Sequence, residues 1–190
     1  MDATILVAGT FDILHAGHYQ LLHAAFCSGR AVEVWLADDA MCQAKAQRCG
    51  QALQPFANRA AGVQAWLDAQ TPASIALGAG QLQDHPGGGG GGGGGGGSSA
   101  GPEHPYRGRY TLHALADPLG PAATEARYTA IVCSEETRQG CEAINAARVA
   151  RGLAPLRLVV VPLVCAPGGA KLSSTEERRK LAQGAGAGTV

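Results

Sequence analysis

The chain carries no surplus of charge. Among its 190 residues, 15 Lys and Arg stand against 15 Asp and Glu, for a formal net charge of zero. That balance provides no electrostatic footprint for nucleic acid or an anionic membrane surface. No apolar run approaches the length of a membrane-spanning helix, and the first apolar run begins at Thr4, which leaves no room for a leader peptide. The six cysteines (Cys27, Cys42, Cys49, Cys133, Cys141 and Cys165) form no C-x-x-C pair and have no histidine ligands beside them. A zinc site and a disulfide framework are therefore not expected. Reduced thiols in a cytoplasmic protein are. There is no G-x-x-x-x-G-K-[ST] phosphate loop, no G-x-S-x-G elbow, no Cys–His dyad and no internal repeat.

What is present is the make-up of one ordinary domain. Hydrophobic residues make up 46% of the chain, ample for a core. Short apolar runs at 4–8, 31–37, 110–115, 129–133 and 157–164 read as strands. Helical patterns at 18–28, 55–69, 137–151 and 173–183 read as helices, with Gly29 and Gly152 placed to end the first and third of them. Strands separated by helical crossovers predict an α/β fold with a parallel five-stranded sheet. The pattern is interrupted from about Ile75 to Arg107, where Gly87–Gly97 is an unbroken glycine run followed by Ser98-Ser99. Glycine buries no apolar area and loses the most backbone entropy on ordering, so an inert, disordered insertion is expected there. Residues 184–190 read as a flexible tail behind a domain spanning 1–183.

The densest information lies in Gly9-Thr10-Phe11-Asp12-Ile13-Leu14-His15-Ala16-Gly17-His18, directly after the first strand. Gly9 permits a sharp turn and close approach of a phosphate. Thr10 offers a hydroxyl and a backbone N–H at the strand end. His15 and His18 are one helical turn apart and can share a face, while Gly17 leaves the surface between them bare. Imidazoles so placed can donate to phosphate oxygens as charge develops. Ordinary helix-surface histidines are the competing reading. A second phosphate-type segment is Lys171-Leu172-Ser173-Ser174-Thr175, where Ser173 or Ser174 can cap the last helix ahead of Glu176 and Glu177. A plain capping box and a phosphate site are both open readings, and they are compatible. Asp12 is expected to hold its own turn through backbone N–H groups, with a place near magnesium as a second possibility.

G-T-F-D-x-L-H-x-G-H resembles the signature of the HxGH nucleotidylyltransferase superfamily. Later segments resemble the archaeal and eukaryotic type of phosphopantetheine adenylyltransferase, in order along nearly the whole chain: Leu53-Gln54-Pro55-Phe56-Ala57-Asn58-Arg59, Asp117-Pro118-Leu119-Gly120-Pro121, Val132-Cys133-Ser134-Glu135-Glu136-Thr137, and Lys171 to Thr175 with Arg178. The resemblance implies a Rossmann-like, doubly wound sheet and adenylyl transfer from ATP, with Mg2+, to 4′-phosphopantetheine, giving dephospho-coenzyme A and pyrophosphate. It implies that His18, Lys45 and Thr10 are catalytic. ATP would be held by Gly9, Thr10, Phe11, His15, Gly17, His18, Ser134, Glu135, Thr137, Ser173, Ser174 and Thr175, and the acceptor by Thr10, Lys45 and Arg59. A kinase for the next step would be a separate chain. Two departures, Leu119 in place of an aromatic residue and Arg138 in place of a tyrosine, keep a catalytically silent nucleotide-binding module in view. Another nucleotidylyltransferase, acting on nicotinamide mononucleotide or using CTP, is the other alternative.

Overall fold

Strand β1 (Thr4–Gly9) occupies the middle of a parallel sheet whose strands run in the order β3-β2-β1-β4-β5. The others are β2 (Ala31–Ala37), β3 (Tyr110–Leu115), β4 (Tyr128–Ser134) and β5 (Arg157–Val161). The computed structural model describes residues 4–50, 52–70, 106, 108–165 and 172–185. The glycine run and Lys171 lie outside the described residues.

Alternation along β1 builds both faces of the sheet. Ile5 and Val7 join Val32, Val34, Ala130 and Val132 in one cluster, which α1 (Ala16–Ser28) covers with Leu22, Ala25 and Phe26 and α3 (Phe56–Asp68) with Val63 and Leu67. Leu6 points the other way and joins Tyr128, Ile131 and Cys133 under α4 (Arg138–Ala150), which contributes Cys141 and Ile144. The remaining helices are α2 (Asp39–Cys49) and α5 (Ser174–Ala185).

Several expectations shift. The first helix begins at Ala16 rather than His18 because His15 itself is the N-cap, its Nδ1 accepting from Gly17 N–H at 3.2 Å. Gly29 ends that helix in extended backbone, not in the left-handed conformation, whereas Gly152 does adopt positive φ. Helix α2 was not anticipated; Asp38 caps it by accepting from Met41 N–H at 2.8 Å. The fifth strand ends at Val161, not Val164, and the last helix runs on to Ala185, into the stretch expected to be a tail. Tyr106, placed inside the insertion by its sequence, is 2% exposed and stacks on Phe26 at 3.8 Å. Tyr106 therefore belongs to the core that Phe26 builds. Cys27, Cys42, Cys133, Cys141 and Cys165 are free thiols, and no described helix is long and apolar enough to cross a membrane.

The link from β3 to β4 is a rigid turn. Asp117 accepts from Leu119 N–H at 2.9 Å and Gly120 N–H at 3.2 Å. Gly120 has φ 52, and a Cβ there would stand 2.5 Å from Leu115 Cδ1. Arg148, 1% exposed, donates to the carbonyls of Ala122 (2.6 Å), Glu125 (2.8 Å) and Ala154 (2.7 Å), binding this turn to α4. Left-handed backbone plus the clash predict that Gly120→Ala costs about 1–3 kcal/mol of stability. Denaturant midpoints of the two proteins would measure it, and equal midpoints would refute it.

Candidate active site

The carboxyl ends of β1 and β4 adjoin at the point where the strand order reverses, the place where open α/β sheets bind ligands. A cavity of about 340 Å³ opens there, within the size range of small-molecule sites. Its polar walls come from four parts of the chain, the turn from Gly9 to His18, Lys45 of α2, the Ser134–Thr137 turn after β4, and Leu172–Thr175 with Arg178 at the start of α5, and apolar residues of α1, the α2–α3 loop and the segment after β5 complete it.

The turn after β1 is built around Phe11. This residue is fully buried and has φ 49, the only positive φ of a non-glycine residue among those described. Its ring folds back over Gly9, where a Cβ would meet Phe11 Cε2 at 3.0 Å. Gly9 therefore makes room for Phe11 rather than supplying an unusual turn angle. The Phe11 ring supports His18 at 5.3 Å, and His18 packs on His15 with ring centroids 4.1 Å apart. The two histidines share one wall, as their spacing predicts, and Gly17 keeps that wall clear, since a Cβ would come within 3.1 Å of the His15 ring. With Nδ1 of His15 accepting from Gly17, its neutral ring carries the proton on Nε2.

His18 is the most perturbed group in the cavity. Burial first, then the neighbouring His15 imidazole and the positive charge of Lys45, lowers its pKa to about 3. Its Nδ1 is buried with no hydrogen-bond partner. Opposite, Lys45 Nζ donates to Thr10 Oγ1 at 3.0 Å, bringing together two residues 35 positions apart.

The segment at α5 resolves the capping question. Ser173 Oγ accepts from Glu176 N–H at 3.2 Å and is the cap, while Ser174 Oγ donates to the Ile13 carbonyl at 3.1 Å. Arg178 pairs with Asp12 and donates to Thr175 Oγ1 at 3.2 Å. Asp12 does not hold its own turn; its other oxygen accepts from Gln54 N–H at 2.7 Å. After β4, Thr137 does not cap α4 with its side chain. Its Oγ1 accepts from Ser134 N–H at 3.1 Å and closes the turn on itself.

Two expected site residues are elsewhere. Glu135 faces Arg138 at 3.7 Å on the surface, and Glu136 lines the cavity in its place. Arg59 is 1% exposed and does not line the cavity; its guanidinium is taken up by Asp39 and three backbone carbonyls. Its spacing with Val63 and Leu67 puts it on the buried stripe of α3, a signal the sequence already held. Missed entirely was the apolar wall of Leu21, Leu53, Val161–Val164 and Leu172. Bare apolar positions carry no motif, and Pro162-Leu163-Val164 read as the end of a strand.

A parallel 3-2-1-4-5 sheet with a His-x-Gly-His cavity at its switch point defines an α/β protein of Rossmann-like architecture with a ligand-sized site. No family model matches the chain. It is 27% identical to phosphopantetheine adenylyltransferase of Methanothermobacter thermautotrophicus over 175 residues, covering 92% of this chain and 82% of that protein. It is 28% identical to the enzyme of the same name from Pyrococcus furiosus, covering 93% and 88%. For that of Thermococcus gammatolerans the figures are 29%, 93% and 88%. A crystal structure of a protein with unknown function from Archaeoglobus fulgidus shares the fold at a TM-score of 0.57 and 20% identity, covering 84% of this chain and 89% of that one. By sequence, the chain is similar to archaeal proteins named phosphopantetheine adenylyltransferase along nearly its whole length.

The His18 environment generates a pH prediction. A histidine kept neutral by the fold but free to protonate when unfolded makes the unfolded state bind the extra proton between about pH 6.5 and pH 3, so stability falls as pH falls through that window. Going from pH 7 to pH 5 should cost the parent protein on the order of 1 kcal/mol more than it costs His18→Asn. Denaturant unfolding of both proteins at the two pH values would measure it, and identical pH effects would overturn it.

Proposed function

We propose that this chain transfers the adenylyl group of ATP to 4′-phosphopantetheine, forming dephospho-coenzyme A and releasing pyrophosphate. The observation that carries the reading is the Lys45–Thr10 contact opening on the same cavity as His18 and the start of α5. The shared name of relatives covering 92–93% of the chain supports the choice of acceptor.

The acceptor phosphate is already a nucleophile, so no covalent intermediate is needed. The work is to hold it in line with the α-phosphorus while pyrophosphate leaves, and alignment of two bound reactants can supply about 7–11 kcal/mol of the barrier. In this proposal Lys45 and Thr10 bind the acceptor phosphate and the α-phosphate. His18, neutral and pressed between Phe11 and His15, donates to the oxygens that gain charge in the transition state. His15 meets the triphosphate through Nε2–H. The first-turn amides of α5 and Arg178 receive the departing pyrophosphate at a helix N-terminus. Gly9, Phe11 and Gly17 shape the cavity rather than bind. Ser134, Thr137 and Glu136, with the apolar wall after β5, suit the nucleoside.

Mg2+ accompanies ATP in this reading and supplies charge neutralisation on the phosphate oxygens. Among the described residues no group of three His, Cys, Asp or Glu converges to hold a metal, and Asp12 is committed to Arg178 and Gln54. No side chain is therefore assigned to it. In this reading the product, dephospho-coenzyme A, is the substrate of a phosphorylating enzyme, and the proposed setting is the cytoplasm. The silent-module alternative loses its motive. Leu119 packs in the core cluster under α4, and Arg138 pairs with Glu135 and Glu142, so neither departure touches the cavity.

Pyrophosphate release should require ATP and 4′-phosphopantetheine together. Replacing either, with CTP or with nicotinamide mononucleotide, should abolish it, and release with another pair would move the substrate assignment. His18→Ala and Lys45→Ala should each lower kcat about 100- to 1000-fold while ATP binding, followed by calorimetry, changes little. An unchanged kcat would overturn their roles.

A further inference from the structure

We propose that Arg59 is a positioning residue that sets the geometry of the Lys45–Thr10 pair from behind the cavity. The inference rests on the functional reading above. It begins with where β1 and β2 stop pairing. Their ladder ends at Gly9 opposite Leu36, and one step further would have placed Thr10 opposite Ala37. Here the strands part instead, and Arg59 Nη1 donates to both carbonyls, Thr10 O at 2.9 Å and Ala37 O at 2.7 Å. The same guanidinium reaches Asp39 Oδ1 at 3.1 Å through Nη2 and Gln54 O at 2.8 Å through Nε.

Each partner matters for Lys45. Thr10 carries the hydroxyl that Lys45 meets. Asp39 is the first residue of α2, the helix that carries Lys45, and its Oδ1 also accepts from Phe56 N–H at 2.7 Å. One planar cation thus ties the backbone of Thr10 to the root of the Lys45 helix, and the 3.0 Å contact between them is measured from that shared anchor. Lysine cannot reproduce this, because an ammonium is a point donor without the rigid fork that reaches several acceptors at once. Arg59 does not itself line the cavity, so its effect must pass through the residues it holds, Thr10 among them.

A double-mutant cycle tests the idea. Arg59→Lys should lower kcat about 100-fold, the loss expected from a misplacement of about 1 Å at a reacting group, while the KM for ATP stays within about threefold. In a Lys45→Ala background, followed by single-turnover pyrophosphate release, Arg59→Lys should cost less than about threefold, because the contact it positions is gone. Equal losses in the two backgrounds, or a KM effect with kcat unchanged, would overturn the proposal. If Arg59→Lys does not fold, as judged by thermal melting, Asp39→Asn decides. It keeps the guanidinium and its three carbonyls and removes the charge from the tie to α2, while the amide oxygen can still accept from Phe56 N–H. A drop in kcat that disappears with Lys45→Ala supports the role, and one that persists, or no drop, ends it. No turnover by the parent with ATP and 4′-phosphopantetheine would instead overturn the functional reading, and this inference with it.

Discussion

The guanidinium of Arg59, enclosed by the carbonyls of Thr10, Ala37 and Gln54 and the Asp39 carboxylate, occupies the gap that opens when β1 and β2 cease to pair. Strand-end carbonyls left in such a gap would be buried without partners, at about 1–3 kcal/mol each. The polar chain continues from there. Gln54, whose carbonyl meets Arg59, offers its N–H to Asp12, and Asp12 pairs with Arg178 of α5. Three chain segments separated by as many as 166 positions are joined through this run of contacts. The cavity exists because they converge.

The chemistry of the cavity depends on what that convergence excludes. His18 packs against Phe11 and His15 and faces the charge of Lys45, so its imidazole is held neutral far below its ordinary range. A neutral donor surrounded by cations is suited to accept a polyanion's charge without bringing a counter-charge that must first be desolvated. Phe11 takes a left-handed backbone to provide the support. That conformation is uncommon for a bulky residue and is retained where the surrounding packing over-determines it. Gly9 and Gly17 are small for complementary reasons: one receives the Phe11 ring, and the other leaves room for the His15 ring.

Much of this was legible from the residues. The spacing of His15 and His18 predicts one shared wall, and the rings meet. The short apolar runs predict five parallel strands, and the sheet has five. The resemblance gives Lys45 and Thr10 to the same reacting groups, and the two side chains are in contact. The resemblance gives Arg59 to the acceptor, since a lone arginine after a proline looks the same whether it faces solvent, ligand or core. Only its place on the Val63–Leu67 stripe separates these readings. Glu135 and Glu136 are adjacent acids, and nothing local says which of them turns toward the cavity. The apolar wall after β5 was hidden because a strand and the loop that leaves it can share the same composition.

By itself the sequence determined the alternation of strands and helices, the turn that ends β1, and the set of polar groups available to a phosphate-bearing ligand. These are local matters of periodicity, glycine placement and residue chemistry. Tertiary structure alone decided which of those groups face the cavity, that His18 is neutral and Arg59 enclosed, and that Asp12 joins α5 rather than its own turn. The reason is that burial and partner choice are set by contacts between residues far apart in the chain. Desolvation, which fixes both the charge of a histidine and the partners of an arginine, has no signature in the residue itself.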